Sequence, residues 1–519
     1  MIPNITTYYH TVKYLKPKQI IYRSINRLRK FTSKWFLPSS SPKAIHLKLQ
    51  ASINTYVEYE ESNTFNFLNI SRSYGSIIDW NDLSQGKLWL YHLCSMNYLG
   101  QESLGKDLGE MLIKSVTTYD KLKSGEEPYP VSLRLINIIK FVLKHEIHDA
   151  KTDQKLWQWV SLLRRNIEYH LMGNHLLENG FALLFSAVYF NDPGLLKTSK
   201  KILFLQLEEQ ILEDGGHFEL SPMYHSILLY RLLDCYNLLI NNDIPDTIQI
   251  KQHIQQKAQL MLGWLQQITW EDGTFPMVND STDRIAPSPK ALLSYANRLQ
   301  IKPKKVPLSD CGYRIFRFGN YQLLCDLGKI GPDYIPGHAH NDIFNFILHI
   351  AGRPFIVDTG LSTYEMANRR QHERSTAAHN TVCIQPYEQA ETWAQFRVAR
   401  RGHPIIEKDN DHACTGVYTY PYKKIQHRRS FKMDERKIQI EDRINVNLKA
   451  CAYLHFHEDV SLDFQNNEII TNLARIKFEG ANHIYTKPYE RAQSFNLRSK
   501  AMMVAIEFNK TLKTTIDIN

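Results

Sequence analysis

The sequence predicts a chain of two parts, in which an all-helical half is followed by an antiparallel β-sandwich. Between about residues 85 and 300, apolar residues recur at the spacing of one helix face, as Leu135, Ile138 and Val142 do. Beyond residue 310 the apolar period changes to two, with turn residues between short segments. A chain of 519 residues is also too long for one ordinary hydrophobic core.

The N-terminal segment, residues 1–57, differs from the rest of the chain in its charge. It contains ten Lys and Arg residues and no Asp or Glu, whereas the other 462 residues carry 53 charges of each sign. The net charge of +10 therefore belongs to this segment. Because the basic character is not spread over the protein, it does not indicate a nucleic-acid partner, and we expect none.

The same segment predicts a basic amphipathic helix. Its apolar face is formed by Ile21, Ile25, Leu28 and Trp35. Its basic face is formed by Arg23, Arg27, Lys30 and Lys34. Such a helix usually docks its apolar face on its own domain, and this is the interpretation that we favour. The alternative is peripheral contact with an anionic membrane surface.

The sequence favours a cytoplasmic or inner-membrane-associated protein over a secreted one. The first residues lack the continuous apolar stretch of a secretory signal. The chain contains no stretch of about 18 or more apolar residues, so we expect no transmembrane helix. The seven cysteines are irregularly spaced and include no CxxC motif, which is not the pattern of a disulfide framework.

Residues 58–300 are predicted to form a domain of helical hairpins. Helices are expected near 87–97, 178–190, 195–212, 223–240 and 288–299, in addition to those indicated by the periodic segments around 135–142, 156–163 and 254–265. Turn sequences such as "NDPG" and "EDGG" separate them. Successive helix pairs without intervening strands either close into a toroid or continue as a solenoid.

Residues 301–310, "IKPKKVPLSD", are predicted to be a linker, and residues 311–519 an antiparallel β-sandwich domain. The first two strands are joined by Gly319-Asn320, a two-residue hairpin signal, and the next pair by Ala351-Gly352. Many short strands separated by turns are typical of a sandwich.

Two polar clusters lie in the helical half. In "GNHLLENG", His175 and Glu178 are three residues apart and share a helix face, with Asn174 beside them. The alternative is a polar helix start capped by Asn174, with Asn179-Gly180 as a local interruption.

The second cluster is "EDGGHFELSPMYH". Ser221 before Pro222 predicts a helix start that places Tyr224 in the first turn, after Glu219. The alternative is helix capping with ordinary aromatic packing.

A histidine cluster lies in the β half. His338 and His340 are two residues apart, Asp358 follows a strand, and His379 precedes another. A His-x-His pair with a distant Asp and a distant His can form a zinc site. Because the chain has 21 histidines, this spacing is weakly specific. Surface histidines at a strand edge are the alternative.

Three stretches occur in an order that resembles the heparinase II/III family: "DGGHFELSPMYH", "GHAHNDIFNF…GRPFIVDTG" and "ERSTAAHNTV". The resemblance covers about residues 85–460 and is best between 170 and 385. It implies an (α/α) toroid followed by an antiparallel β-sandwich, the order that the periodicity predicts independently. It also implies a polysaccharide lyase that cleaves a uronate-containing glycan by β-elimination.

The resemblance implies roles for residues at matching positions. Asn174 and His175 match a pair that neutralises the substrate carboxylate, and Glu178 matches a supporting acid. Tyr224 matches a general acid, which in some members is also the base. His338 matches a histidine that faces the cleft and can serve as the base.

The resemblance further implies that His340, Asp358 and His379 hold a structural zinc, with His340 turned to the metal while His338 faces the cleft. A polyanionic glycan also needs cations. The candidate cations are Arg284 and Arg374, with Arg369 and Arg370 nearby. Glu178 and Glu219 are further candidates for substrate binding. The alternative for "ERST" is an internal ion pair.

The function expected from the sequence is therefore that of a polysaccharide lyase-like enzyme, with a hypothetical role in capsule or surface-polysaccharide metabolism. Two alternatives stay open. One is a non-catalytic glycan-binding component of polysaccharide assembly. The other is a glycoside hydrolase, which would depend on a carboxylate pair such as Glu178 and Glu219.

Overall fold

The computed structural model describes residues 4–32, 38–422, 424–465 and 467–519. Helices come first and antiparallel strands second, so the predicted fold class is confirmed. The N-terminal helices are α1 (Ile5–Val12) and α2 (Pro17–Thr32). A small sheet of β1 (Tyr59–Glu60), β2 (Thr64–Phe67) and β3 (Ile70–Ser73) follows. This sheet, whose Phe65 and Phe67 are buried against the helices, was not predicted from the sequence.

The helical domain continues with α3 (Lys87–Ser95), α4 (Lys106–Thr118), α5 (Pro128–Lys144), α6 (Ala150–Arg165), α7 (Gly173–Tyr189), α8 (Pro193–Gln210), α9 (Pro222–Ile240), α10 (Ile248–Ile268) and α11 (Pro289–Arg298). Several starts follow a local rule. Asp192, Ser221 and Ser288 each cap a helix whose next residue is proline.

Helix α7 runs unbroken through Asn179 and Gly180, so the expected interruption is wrong. A Cβ on Gly180 would lie 2.9 Å from Ile202 Cγ2, and the glycine therefore allows α7 to approach α8 closely. Residues 301–310 contain no helix or strand and lead from α11 into the β domain.

The β domain contains β4 (Tyr313–Phe318), β5 (Tyr321–Asp326), β6 (Phe346–Ile350), β7 (Arg353–Ile356), α12 (Asn368–Glu373), β8 (Val382–Ile384), β9 (Ala390–Trp393), β10 (Arg397–Arg401), β11 (Pro404–Asn410), β12 (Ala413–Thr419), β13 (Gln426–Met433), β14 (Lys437–Ile444), β15 (Ala450–His455), β16 (Asp463–Gln465), β17 (Glu468–Ile470), β18 (Ala474–Glu479), β19 (His483–Ser494), β20 (Leu497–Phe508) and β21 (Thr511–Ile518).

The strands form antiparallel sheets with the orders β4-β5-β6-β7, β19-β20-β15-β8, β10-β9 and β11-β12-β13-β14-β21-β18-β17-β16. Both predicted hairpins are present. Ala351 and Gly352 have positive φ values of 52° and 70°, as a two-residue turn with the twist of a β-hairpin requires. Side chains such as Phe346, Phe431 and Ile440 form the core between the sheets.

The N-terminal helices bridge the two domains. Helix α1 contacts the β domain, where the Tyr8 and Trp393 rings lie 5.3 Å apart. Helix α2 contacts the helical domain, where Gln19 Nε2 donates to the Leu171 carbonyl at 3.1 Å. The Tyr22 and Tyr169 rings lie 4.7 Å apart at the same contact.

Helix α2 contacts the helical domain through a polar and aromatic face that includes Gln19 and Tyr22, not through the predicted apolar face. Ile21 and Leu28 are 55% and 72% exposed, so the expectation that the apolar face packs on the protein is wrong for both. Lys34 and Trp35, and the side chain of Lys30, lie outside the described residues. Within the described part, no helix has the length and apolar character needed to cross a membrane.

Candidate active site

Tyr224 and His338 meet where the helical and β domains face each other. The Ser221 hydroxyl accepts the backbone N–H of Tyr224 at 3.2 Å, which fixes Tyr224 in the first turn of α9 as predicted. The Tyr224 and His338 ring centroids lie 4.0 Å apart. The Tyr224 hydroxyl lies 3.2 Å from that of Tyr364 in the β domain. The structure therefore brings together the two residues predicted to be acid and base.

Asp280 holds His338 in place and was not predicted from the sequence. His338 Nδ1 lies 2.8 Å from Asp280 Oδ2, and His340 Nε2 lies 2.8 Å from Oδ1. The Arg370 guanidinium donates to both carboxylate oxygens, at 2.5 and 2.7 Å. Burial would raise the pKa of Asp280, but Arg370 and the histidines outweigh this and hold it well below its usual range. An ionised carboxylate only accepts, so Nδ1 of His338 donates, and in the neutral imidazole Nε2 is then the nitrogen with the lone pair.

Arg374 is misassigned as a substrate ligand. Its side chain is fully buried, and the guanidinium donates to the carbonyls of Ala339, Gln395 and Arg397. It organises the loop that carries His338 and His340. The predicted alternative, an internal ion pair, holds for the neighbouring arginines: Arg370 pairs with Asp280, and Arg369 Nε donates to Glu373 at 2.7 Å.

Asn174 and His175 begin α7. Met172, with a φ of +64°, is the N-cap residue, so the interpretation of Asn174 as the cap is wrong. The carboxylate beside His175 is Glu168, whose Oε1 lies 3.1 Å from Nδ1. Burial lowers the pKa of His175, but Glu168 and the more distant Glu219 and Glu178 carboxylates raise it, and the net shift is upward. The site therefore favours an imidazolium, which suits an anionic group nearby.

Glu178 and Glu219 are buried, with 3% and 1% exposure, so neither is placed to contact a glycan directly. Glu178 Oε2 lies 3.4 Å from Arg231 Nε. Glu219 Oε2 lies 3.7 Å from His338 Nε2, beyond hydrogen-bond distance. Burial raises the pKa of Glu219, and His338 and His175 partly offset this shift. Glu219 thus links the histidines of the two domains electrostatically.

The predicted zinc ligands lie near one another but do not form a metal cage. His379 Nδ1 and Asp358 Oδ2 are 2.8 Å apart, and the His340 and His379 rings are 5.3 Å apart. His340 Nδ1 and His379 Nε2 are buried without hydrogen-bond partners. Across the described ranges, no group of three His, Cys, Asp or Glu side chains is arranged to hold a metal ion. The side chains as placed do not fit a zinc ion.

A cavity of about 240 Å³ opens at Tyr224 between the two domains. Seven Tyr and Phe side chains line its wall: Tyr56, Tyr91, Tyr129, Tyr224, Tyr230, Tyr364 and Phe495. Tyr129 connects the cavity to His175, because their rings lie 4.5 Å apart. Arg284 is exposed and lines a neighbouring cavity with Tyr56 and Phe495, so it stays a candidate substrate ligand at the rim.

The fold is similar to solved lyase structures. A crystal structure of heparinase III aligns with a TM-score of 0.67 and 15% identity, covering 97% of this chain and 92% of that one. The heparan sulfate lyase of Pedobacter heparinus aligns with a TM-score of 0.57 and 18% identity, covering 96% and 88%. At these identities the likeness establishes the fold alone.

Two curated relatives match in sequence. A heparin-sulfate lyase of Pedobacter heparinus is 28% identical over 301 residues, which is 52% of this chain and 43% of the relative. A heparin-sulfate lyase of Bacteroides stercoris is 23% identical over 350 residues, which is 60% of this chain and 50% of the relative. The chain thus spans about half the length of the curated relatives that it matches.

Two family models match consecutive parts of the chain. The heparinase II/III N-terminus model matches residues 144–306, and the heparinase II/III-like C-terminal model matches residues 301–516. Together they run through Asn174, Tyr224 and His338. The chain belongs to the heparinase II/III family.

Proposed function

We propose that the protein is a polysaccharide lyase that cleaves an acidic, uronate-containing glycan by β-elimination. The observation that carries this proposal is the 4.0 Å contact between the Tyr224 and His338 rings, with Tyr224 on the wall of an interdomain cavity. A phenol and an imidazole in contact supply one proton donor and one proton acceptor, as an elimination requires.

In this mechanism His338 is the base. Its Nδ1 donates to Asp280, so Nε2 is free to remove the proton on C5 of the uronate. Such a proton is weakly acidic while the neighbouring carboxylate is charged. Asn174 and the imidazolium-favouring His175 would neutralise that carboxylate and stabilise the enolate-like intermediate.

Tyr224 is the acid. Burial raises the pKa of Tyr224 well above its ordinary value, which keeps the phenol protonated at neutral pH. The hydroxyl donates its proton to the leaving O4 oxygen as the C4–O4 bond breaks. The alternative in which Tyr224 also acts as the base is less favourable, since a phenol held in the protonated form accepts a proton poorly.

Support for an acidic glycan comes from the named relatives, which are heparin-sulfate lyases, and from the His175 environment. The burial of Glu178 and Glu219 disfavours a hydrolase, because paired carboxylates must reach the glycosidic bond. A lyase assay over several uronate polymers tests the proposal. The predicted product absorbs ultraviolet light through a new C4–C5 double bond conjugated with the carboxylate. Release of reducing ends without this absorbance would select the hydrolase, and binding without turnover would select the glycan-binding alternative.

Zinc binding stays a prediction. His340, Asp358 and His379 would have to move from the positions described to hold the ion. The two buried ring nitrogens without hydrogen-bond partners, His340 Nδ1 and His379 Nε2, support the proposal. No catalytic step depends on it. Elemental analysis of the purified protein, with His379→Ala as the comparison, tests whether a metal is bound at these residues.

Peripheral membrane contact and a role in capsule or surface-glycan metabolism at the inner membrane face are a further proposal. The exposed Ile21 and Leu28 on a basic helix support it, since such a face can insert into an anionic lipid interface. Co-sedimentation with vesicles containing anionic lipid tests it, and Leu28→Asp is expected to reduce binding. Equal binding by both proteins would contradict it.

A further inference from the structure

A second groove, lined in part by Gly337 and Phe396, lies near His338 and shares no lining residue with the cavity at Tyr224. It has a volume of about 50 Å³. Its walls come from the N-terminal helices, the helical domain and the β domain, and include Gln19, Arg23, Leu171, Gly337 and Arg397. The groove is therefore built by three parts of the chain, one of which, residues 1–57, lies outside the family matches.

The groove lies close to the catalytic residues. Gly337 precedes His338, and Leu171 comes three residues before Asn174. Phe396, which also lines the groove, has its ring centroid 5.8 Å from that of His338. Phe396 thus belongs to the groove wall and also lies beside His338, so the groove and the proposed base are neighbours.

Arg23 is held at the groove by the docking of α2. Gln19, one turn before it, donates to the Leu171 carbonyl at 3.1 Å. Asn26 Nδ2 lies 2.9 Å from His170 Nδ1 on the helical domain. Because residues three and four apart share a helix face, these two contacts aim Arg23 at the same side.

The groove has a net positive charge, because the carboxylate on its wall does not pair with its two arginines. Among the residues that the structure describes, neither Arg23 nor Arg397 forms an ion pair with a carboxylate. The acid on the groove wall, Asp333, pairs with Arg401 at 3.4 Å. Partial desolvation and the nearby charge of Arg23 lower the pKa of Arg397, whose side chain stays open to solvent. Two like charges on the wall of one groove repel each other, and an anion bound between them would remove the repulsion.

The size of the groove limits what it can hold. A water molecule needs about 10–15 Å³ of such volume, so about 50 Å³ accommodates a group of a few heavy atoms. This fits a carboxylate or a sulfate and excludes a whole sugar ring. Guanidinium groups match both anions with paired hydrogen bonds.

We propose that Arg23 and Arg397 form an anion subsite that receives the acidic group of the sugar next to the one cleaved. The proposal rests on the proposed lyase function and narrows its substrate to glycans with an acidic group on a neighbouring unit. It also gives the basic N-terminal helix a part in substrate binding.

The test uses the full chain with Arg23→Gln and Arg397→Gln, each in a Tyr224→Phe background that prevents turnover. The probes are hexasaccharides of hyaluronan, unsulfated heparosan and alginate, together with the carboxyl-reduced form of each, and binding is measured by calorimetry. Arg27→Gln is the matched control, because Arg27 is an exposed arginine one turn further along α2. Each subsite variant is expected to weaken binding about 10-fold, and the control to leave it unchanged. Carboxyl reduction should remove the difference between the proteins.

The outcomes separate this inference from the proposed function. Wild-type turnover with unchanged binding by Arg23→Gln and Arg397→Gln overturns the subsite and leaves the lyase intact. Arginine-dependent binding of a hexasaccharide without turnover of any polymer supports the subsite and overturns the lyase. An equal loss in Arg27→Gln, or no binding to the wild type, overturns the subsite.

Discussion

Asp280 and His338 form a 2.8 Å hydrogen bond that connects the loop before α11 to the β domain. The backbone strengthens the connection, because the Asp280 N–H donates to the His338 carbonyl at 3.1 Å. One buried carboxylate thus fixes both the position and the tautomer of the proposed base, while Arg370 keeps that carboxylate ionised.

Asp280→Asn is expected to reduce kcat about 10²-fold or more, because an amide can present an N–H to His338 and select the wrong tautomer. It should also lower the free energy of unfolding by about 3–5 kcal/mol, since the buried Arg370 loses its partner. Steady-state kinetics and urea unfolding measure the two effects. Asp283→Asn, an exposed acid in the same loop, is the control. Wild-type kinetics in Asp280→Asn would contradict the assigned role.

The pH dependence should reveal His175. Because its pKa is raised above the ordinary 6.5, the imidazolium and the stability that it contributes are present below pH 6.5 and are lost as the pH rises through the raised value. We expect kcat/KM to fall in the same window, as the substrate carboxylate loses its cation.

Glu168→Gln tests this assignment, because it removes the carboxylate closest to His175. The alkaline limb of the kcat/KM profile should move to lower pH in this variant. A limb that stays in place would show that another group controls the pH dependence.

Tyr364→Phe should change the environment of Tyr224 without removing its proton. The two hydroxyls are 3.2 Å apart, so the variant removes one partner of the proposed acid. We expect kcat to change by less than about 10-fold, in contrast to Tyr224→Phe, because a single neutral hydrogen bond contributes about 1 kcal/mol. A loss as large as that of Tyr224→Phe would instead make Tyr364 the proton donor.

Gly263→Ala is expected to destabilise the fold. A Cβ at this position in α10 would lie 2.0 Å from the Lys304 carbonyl oxygen of the linker, and backbone cannot rotate away. The free energy of unfolding, measured in urea, should fall by about 1–3 kcal/mol or more. Gly75→Ala is the control, because nothing lies within 4 Å of its added Cβ, and its stability should change by less than about 0.5 kcal/mol. Equal stability of the two variants would show that α10 and the linker are not packed as described.

The features that sequence could predict are those encoded by local rules. Ser221-Pro222 marks a helix start, Ala351-Gly352 marks a hairpin, and the change of apolar period marks the passage from helices to strands. His338 and Tyr224 were found because they lie in recognisable stretches. Their direct contact is a property of the domain interface and has no signature in sequence spacing.

The features that sequence could not predict depend on distant partners. Asp280 and Glu168 are single acids in irregular segments, and their importance comes from His338 and His175, 58 and 7 residues away. Arg374 was predicted to bind substrate because arginine is usually exposed. Its guanidinium is instead buried and donates to backbone carbonyls. The docking of α2 through Gln19 likewise depends on a carbonyl 152 residues away.

The most direct test of the account is the ultraviolet absorbance of the product made by the wild type, Tyr224→Phe and His338→Gln from one acidic glycan. The account predicts a conjugated C4–C5 double bond with the wild type, and at least a 10²-fold slower rate in each variant at unchanged thermal stability. Undiminished formation of that double bond by Tyr224→Phe or His338→Gln would contradict the assignment of these two residues as acid and base.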